Sequence, residues 1–171
     1  MAINTGKVIS GGLLAGFVYN VFDMLWNFTV LQADGLAMAA RLNLNPAVIT
    51  DFSYQIPWIV IDFVLGLLTI FIYAGFRPRF GPGPKTAVIA GFMLWVALTS
   101  LYSGFASMGV LTGGMAIKAS LLAIVNVVVG SIAGAWAYKE WKSRRRNAEG
   151  PATEFREGPP DHVGRSPSIA L

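Results

Sequence analysis

The chain has no cysteine and a single histidine, His162. Without cysteine there are no disulfides, no thiolate metal sites and no cysteine nucleophile. With one histidine, which falls in a polar tail, no pair of helical histidines exists to hold haem or a metal. Charge is also scarce: 13% of residues are charged, against 54% hydrophobic, where a soluble domain carries about a quarter. No H-E-x-x-H or G-x-S-x-G motif occurs, and no strand precedes the G-x-x-x-G fragments, so they are not phosphate loops. An enzyme needs a nucleophile, a metal site or a dense catalytic constellation. The sequence supplies none of these, and it predicts a non-enzymatic protein without cofactor or metal.

What remains is apolar and arranged in blocks. Crossing a bilayer takes about twenty mainly apolar residues, and four windows qualify: 8–31, 56–76, 86–108 and 114–138. The expected fold is an all-α, antiparallel four-helix membrane bundle over residues 1–146, followed by a disordered polar tail, 147–171. The segment RPRFGPGPK between the second and third windows is rich in proline and glycine and reads as a tight turn. The 32–55 connection is longer. Asp34 is expected to cap a short amphipathic helix through Arg41, which Asn45-Pro46 then ends. A cleavable signal peptide fits poorly, because the first apolar stretch is too long and contains Asp23. The small-residue sequence AMA at 37–39 is the one feature in its favour.

Basic residues set the expected orientation. Arg77, Arg79 and Lys85 flank the second connection, and Lys139, Lys142, Arg144, Arg145 and Arg146 follow the fourth window. The positive-inside bias then puts both termini in the cytoplasm. The run KEWKSRRR reads as topogenic rather than as a nucleic-acid patch, since it lacks aromatic interleaving and a second basic site. Trp26, Trp58, Trp136 and Trp141 fall where interfacial belt residues are expected.

Polar residues inside the windows are the candidate functional features. Asp23 lies in the first and Asp62 in the second, and an intramembrane carboxylate is costly enough to mark a site by default. At 1.5 Å per residue, both lie about 10 Å inside the outer boundary. Tyr102 and Lys118 reach the same layer, and Asn27 shares the stripe of Asp23. These five form the expected intramembrane polar cluster, with Lys118 pairing one carboxylate. Helix packing has its own pattern. Gly12-x-x-x-Gly16 and Asn20 in the first window mirror Asn126 and Gly130-x-x-x-Gly134 in the fourth. An antiparallel register would set Gly12 against Gly134, Gly16 against Gly130 and Asn20 against Asn126. Small residues permit such close approach in lipid. Homodimerisation through either motif is the competing use.

The cluster admits two readings. As structure, a satisfied network fixes helix partners, and the protein is an accessory subunit or scaffold of a larger membrane assembly. As chemistry, the carboxylate without a cation becomes a proton- or cation-linked carrier or channel site in an oligomer. The expected partners are the bilayer and either a membrane protein or a second copy.

The opening SGGLLAGFVYNVFDMLWNF, with Gly11, Gly12, Gly16, Asn20 and Asp23, resembles the start of uncharacterised four-span bacterial inner-membrane proteins. The resemblance covers the first helix and implies a bacterial plasma membrane; it brings no activity with it.

Overall fold

In the computed structural model, residues 3–148 are described, with side chains described through residue 138. The tail 149–171, including His162, lies outside the described residues, as do the side chains of the 139–146 basic run and Trp141. Within the described residues the chain is all-helical and contains no strand. The elements are α1 (Thr5–Trp26), a π-helical turn (Asn27–Leu31), α2 (Gln32–Arg41), α3 (Ala47–Thr50), a 3-10 turn (Phe52–Gln55), α4 (Ile56–Phe80), α5 (Pro84–Ser107) and α6 (Gly113–Ala148). Four stretches are long and apolar enough to cross a membrane: Thr5–Arg41, Phe52–Phe80, Pro84–Ser107 and Gly113–Tyr138.

Two expected boundaries are corrected. The first helix does not stop at residue 31. It runs on through the π turn into α2, so Thr5–Arg41 is one rod of about 55 Å. The amide of Asn27 donates to the Asp23 carbonyl at 2.9 Å and the hydroxyl of Thr29 to the Leu25 carbonyl at 2.6 Å. Such back-bonding, one turn up, loosens the backbone ladder locally and accompanies a bulge rather than a break. Asp34 therefore sits inside a continuing helix and is no cap. The second helix likewise runs past residue 76 to Phe80, with Pro78 in its last turn. The turn that follows is tight, as expected. Gly81 and Gly83 adopt φ of +79° and +148°, values that suit glycine.

The four long helices form a ring, in which α1 contacts α4 and α6, and α5 contacts α6 and, less extensively, α4. Contacts between α4 and α6 close the short diagonal. One end of the ring holds the start of α1, the α4–α5 turn and the end of α6; with Lys7, Arg77, Arg79 and Lys85 there, we call it the basic end. The other holds α2, α3 and the α5–α6 connection.

Packing is uneven along the axis. The largest fully buried side chains, Tyr73, Ile70, Thr69, Thr86 and Ser131, all lie toward the basic end. On α5 burial stops at Leu94. On α4 the only buried residue before Gly66 is Asp62. The helices are joined by backbone approach near the basic end, and α4 and α5 bury little toward the other. Small residues are where the backbones close.

Those small residues do not pair as expected. Helices α1 and α6 pack antiparallel, but the register is displaced by one residue. A Cβ on Gly11 would stand 2.6 Å from the carbonyl oxygen of Gly134, and Gly130 faces Tyr19 and the carbonyl of Ala15. Gly12 and Gly16 turn instead toward α4. A Cβ on Gly12 would lie 2.7 Å from the Cα of Leu67, and one on Gly16 would lie 2.7 Å from the Cα of Phe63. The reason is angular. Consecutive helical positions differ by about 100°, so Gly11 and Gly12 serve two neighbouring helices at once.

Candidate functional site

The polar layer forms in the loosely packed half of the ring. Asp23 comes from α1, Asp62 from α4, Tyr102 from α5 and Asn126 from α6. The contacts of Gly12 with Leu67, Gly16 with Phe63 and Asn20 with Ile59 fix the α1–α4 register, and they set Asp62 level with the residue after Gly16, about 9 Å along the axis from Asp23. Asp62 is buried, at 7% exposure. It makes no side-chain hydrogen bond among the described residues. Asp23 accepts a hydrogen bond from the amide nitrogen of Asn126, whose carbonyl oxygen accepts from the Trp26 indole at 2.7 Å. Asp23 and Asp62 thus stand on neighbouring helices, with Asp62 nearer the basic end than the equal depth expected from the sequence.

Two expected members of the cluster stand elsewhere, and one expected packing pair does not form. Lys118 does not pair with Asp23 or Asp62. Its ammonium lies 2.7 Å from Asp34, on the exposed face of α2. Continuation of the first helix through the π turn carries Asp34 beside the start of α6, and a partly exposed pair costs less desolvation than one between the helices. Asn27 is exposed and spends its amide on the Asp23 carbonyl of its own helix. Asn20 and Asn126 are both buried but do not meet. The Asn20 amide donates to the Gly16 carbonyl at 2.9 Å and to the Ile59 carbonyl of α4 at 3.3 Å. This follows from the register: the α1 stripe of Gly12, Gly16 and Asn20 faces α4.

Other side chains complete the surroundings. The Tyr19 hydroxyl donates to Thr69 at 3.0 Å, which donates in turn to the Leu65 carbonyl at 2.8 Å, so α1 and α4 are tied about two turns below Asp62. The Trp95 indole donates to the Ser120 carbonyl at 2.8 Å and ties α5 to α6. Thr99, on the Tyr102 face of α5, has a buried hydroxyl without a hydrogen-bond partner among the described residues. Trp26, expected as a belt residue, is instead half-buried and bonded to Asn126; Trp58 and Trp136 are exposed. The sequence carried one signal for Trp26: it stands three residues after Asp23, hence on the same helical face.

The outer rim is held by charge. Arg41 donates to the carbonyls of Gly109 and Val110 at 2.8 and 2.6 Å, capping the connection after α5. Together with Lys118–Asp34 it anchors α2 across the end of the bundle. Among the described side chains, no cation reaches the carboxylate pair by a salt bridge, and no group of three or more metal-ligating side chains occurs.

Such a ring of long apolar helices enclosing ionisable side chains defines a helical bundle of membrane-spanning type. No family model, curated protein or solved structure matches the chain.

Proposed function

We propose that the protein is a multi-pass membrane protein whose working element is the Asp23–Asp62 pair. This pair takes up a proton or a small monovalent cation, and the protein acts as a carrier or channel in oligomeric form. The observation that carries this reading is the isolation of Asp62. It is buried between helices with a second carboxylate, Asp23, on the adjoining α1, and the one lysine at this end of the bundle is engaged by Asp34. Two like charges cannot share a low-dielectric layer without compensation, and a shared proton or cation supplies it. The unpartnered Thr99 hydroxyl adds a further oxygen facing the interior. Lys7, Arg77, Arg79 and Lys85 at the basic end support cytoplasmic termini. Resemblance of the first helix to bacterial inner-membrane proteins supports a plasma-membrane location.

The test is ion uptake by proteoliposomes containing the full chain, with proton, sodium and potassium gradients imposed separately. Wild type is expected to conduct at least one of these, and Asp62→Asn is expected to lose tenfold or more at equal reconstitution. Equal flux in the two proteins, or no flux in either, would sink the proposal.

A second reading rests on a different observation. The chain Trp26–Asn126–Asp23 links α1 to α6 through side chains alone, which is what a structural network does. In that case the protein is a non-enzymatic accessory subunit or scaffold. Asp23→Asn and Asp62→Asn would then fail to accumulate or to retain a co-purifying membrane partner.

A further inference from the structure

At the basic end, two cations converge on two tyrosines. The Arg77 guanidinium carbon lies 4.9 Å from the Tyr138 ring centroid and 6.0 Å from that of Tyr73. The Lys7 ammonium lies 5.8 Å from the Tyr138 ring. The rings meet edge to face, with centroids 5.7 Å apart. Lys7 comes from α1, Arg77 and Tyr73 from α4, and Tyr138 from α6, so three helices build the group.

Among the described side chains this charge is unbalanced: the carboxylates of Asp23, Asp34, Asp51 and Asp62 all belong to the other half of the molecule. The Arg77 Nε is buried and has no acceptor among the described residues. A buried donor without a partner calls for an acceptor beyond the described residues. Beside the group lies an apolar cavity of about 200 Å³, lined by Tyr73, Pro84, Ile132, Ala135 and Trp136 among others. Tyr73 belongs to both the cation group and the cavity wall. An anion-binding group and an apolar slot therefore adjoin at the end of a membrane-type bundle.

We propose that this is a binding site for one anionic phospholipid. Lys7 and Arg77 hold its phosphate and charged headgroup, and the slot between the α4–α5 turn and α6 takes the first part of an acyl chain. Free phosphate shares the headgroup chemistry but leaves the slot unused. The inference rests on the chain lying in a bilayer and is independent of the carboxylate pair.

Trp136, 58% exposed at the slot, makes the site observable. The experiment reconstitutes the full chain in vesicles of phosphatidylcholine doped with brominated phosphatidylglycerol or brominated phosphatidylcholine, and reads tryptophan quenching. Quenching by the zwitterionic probe reports insertion in the bilayer separately from headgroup preference. Each basic side chain near a membrane surface is worth a factor of about five. Wild type is therefore expected to favour the anionic probe five- to thirtyfold. Trp136→Phe should lose the excess quenching, and the Lys7→Gln/Arg77→Gln double variant should reduce the preference to near unity. Arg77→Lys should keep most of it, and Arg79→Gln should leave it unchanged. Should the double variant fail to insert, Lys7→Gln alone must cut the preference severalfold. Equal quenching by both probes, an unchanged preference in the charge variants, or displacement of the anionic probe by millimolar inorganic phosphate would each overturn the proposal.

Discussion

Asn126 of α6 donates its side-chain amide to the Asp23 carboxylate of α1 and accepts from the Trp26 indole with its carbonyl oxygen. One buried amide thus serves both the acidic site and the α1–α6 contact. Hydrogen bonds between membrane helices average about 0.6 kcal/mol and reach about 1.7. A double-mutant cycle with Asp23→Ala and Asn126→Leu should give a coupling free energy of about 0.6–1.7 kcal/mol. Unfolding in mixed detergent micelles measures it. Additive single effects would mean that the bond contributes nothing to stability.

Gly66 of α4 meets the backbone of α1. A Cβ there would stand 2.5 Å from the Gly12 carbonyl oxygen and would also strike Gly16. Backbone cannot swing away as a side chain can. Gly66→Ala is expected to destabilise the bundle by about 1–3 kcal/mol or more, as overpacking does. Gly104→Ala, in open space on α5, should be neutral or slightly stabilising through helix propensity. Thermal unfolding of the two variants side by side distinguishes them, and equal midpoints would refute close α1–α4 contact.

Lys118 and Asp34 form a partly exposed pair, with side chains 52% and 30% accessible. Such pairs contribute less than about 1 kcal/mol. Lys118→Gln should therefore shift stability by no more than that, and raised salt should shrink the difference. Were Lys118 the counter-ion of Asp23 or Asp62, its loss would strand a buried charge and cost about 3–5 kcal/mol. The size of the measured effect decides where Lys118 sits.

Asp51 begins the 3-10 turn before α4. Its carboxylate accepts from the Ser53 amide and hydroxyl, both at 2.9 Å. These bonds, the backbone one foremost, hold its pKa below the usual carboxylate range. A group depressed in the folded state supports the turn fully above its unfolded pKa and loses that support as pH falls through the folded one. The Ser53 amide resonance should therefore stay constant from neutral pH down to the ordinary carboxylate range and move only below it. In Asp51→Ala it should already lie at the disordered position at neutral pH. A Ser53 shift titrating at or above the ordinary value would contradict this capping role.

Much of the site was legible in one dimension because helical periodicity is strict. Residues three and four apart share a face, so Asn27 falls on the stripe of Asp23, and depth counting assigns Asp23, Asp62 and Tyr102 to one layer. Lys118 was misassigned by the same arithmetic. Depth alone put it in that layer, but which way it points depends on what stands beside it, and that was Asp34 on an extension of the first helix that no break residue announced. The Gly12-x-x-x-Gly16 pattern was visible as a close-packing surface. Its partner was not, since a small-residue stripe fits any neighbouring backbone equally well.

The sequence by itself determined that the described chain is helical, that four stretches are long and apolar enough to cross a bilayer, and that carboxylates lie within them. Apolar length and period 3.6 are local properties, and they survive any arrangement of the helices. Tertiary structure alone decided the ring order, the one-residue displacement between α1 and α6, the capture of Lys118 by Asp34 and the linking of Trp26, Asn126 and Asp23 across helices. Each of these depends on rotation of one helix about its axis relative to another. In lipid that rotation follows from where backbones can approach and which polar groups find partners, and neither is encoded within a single segment.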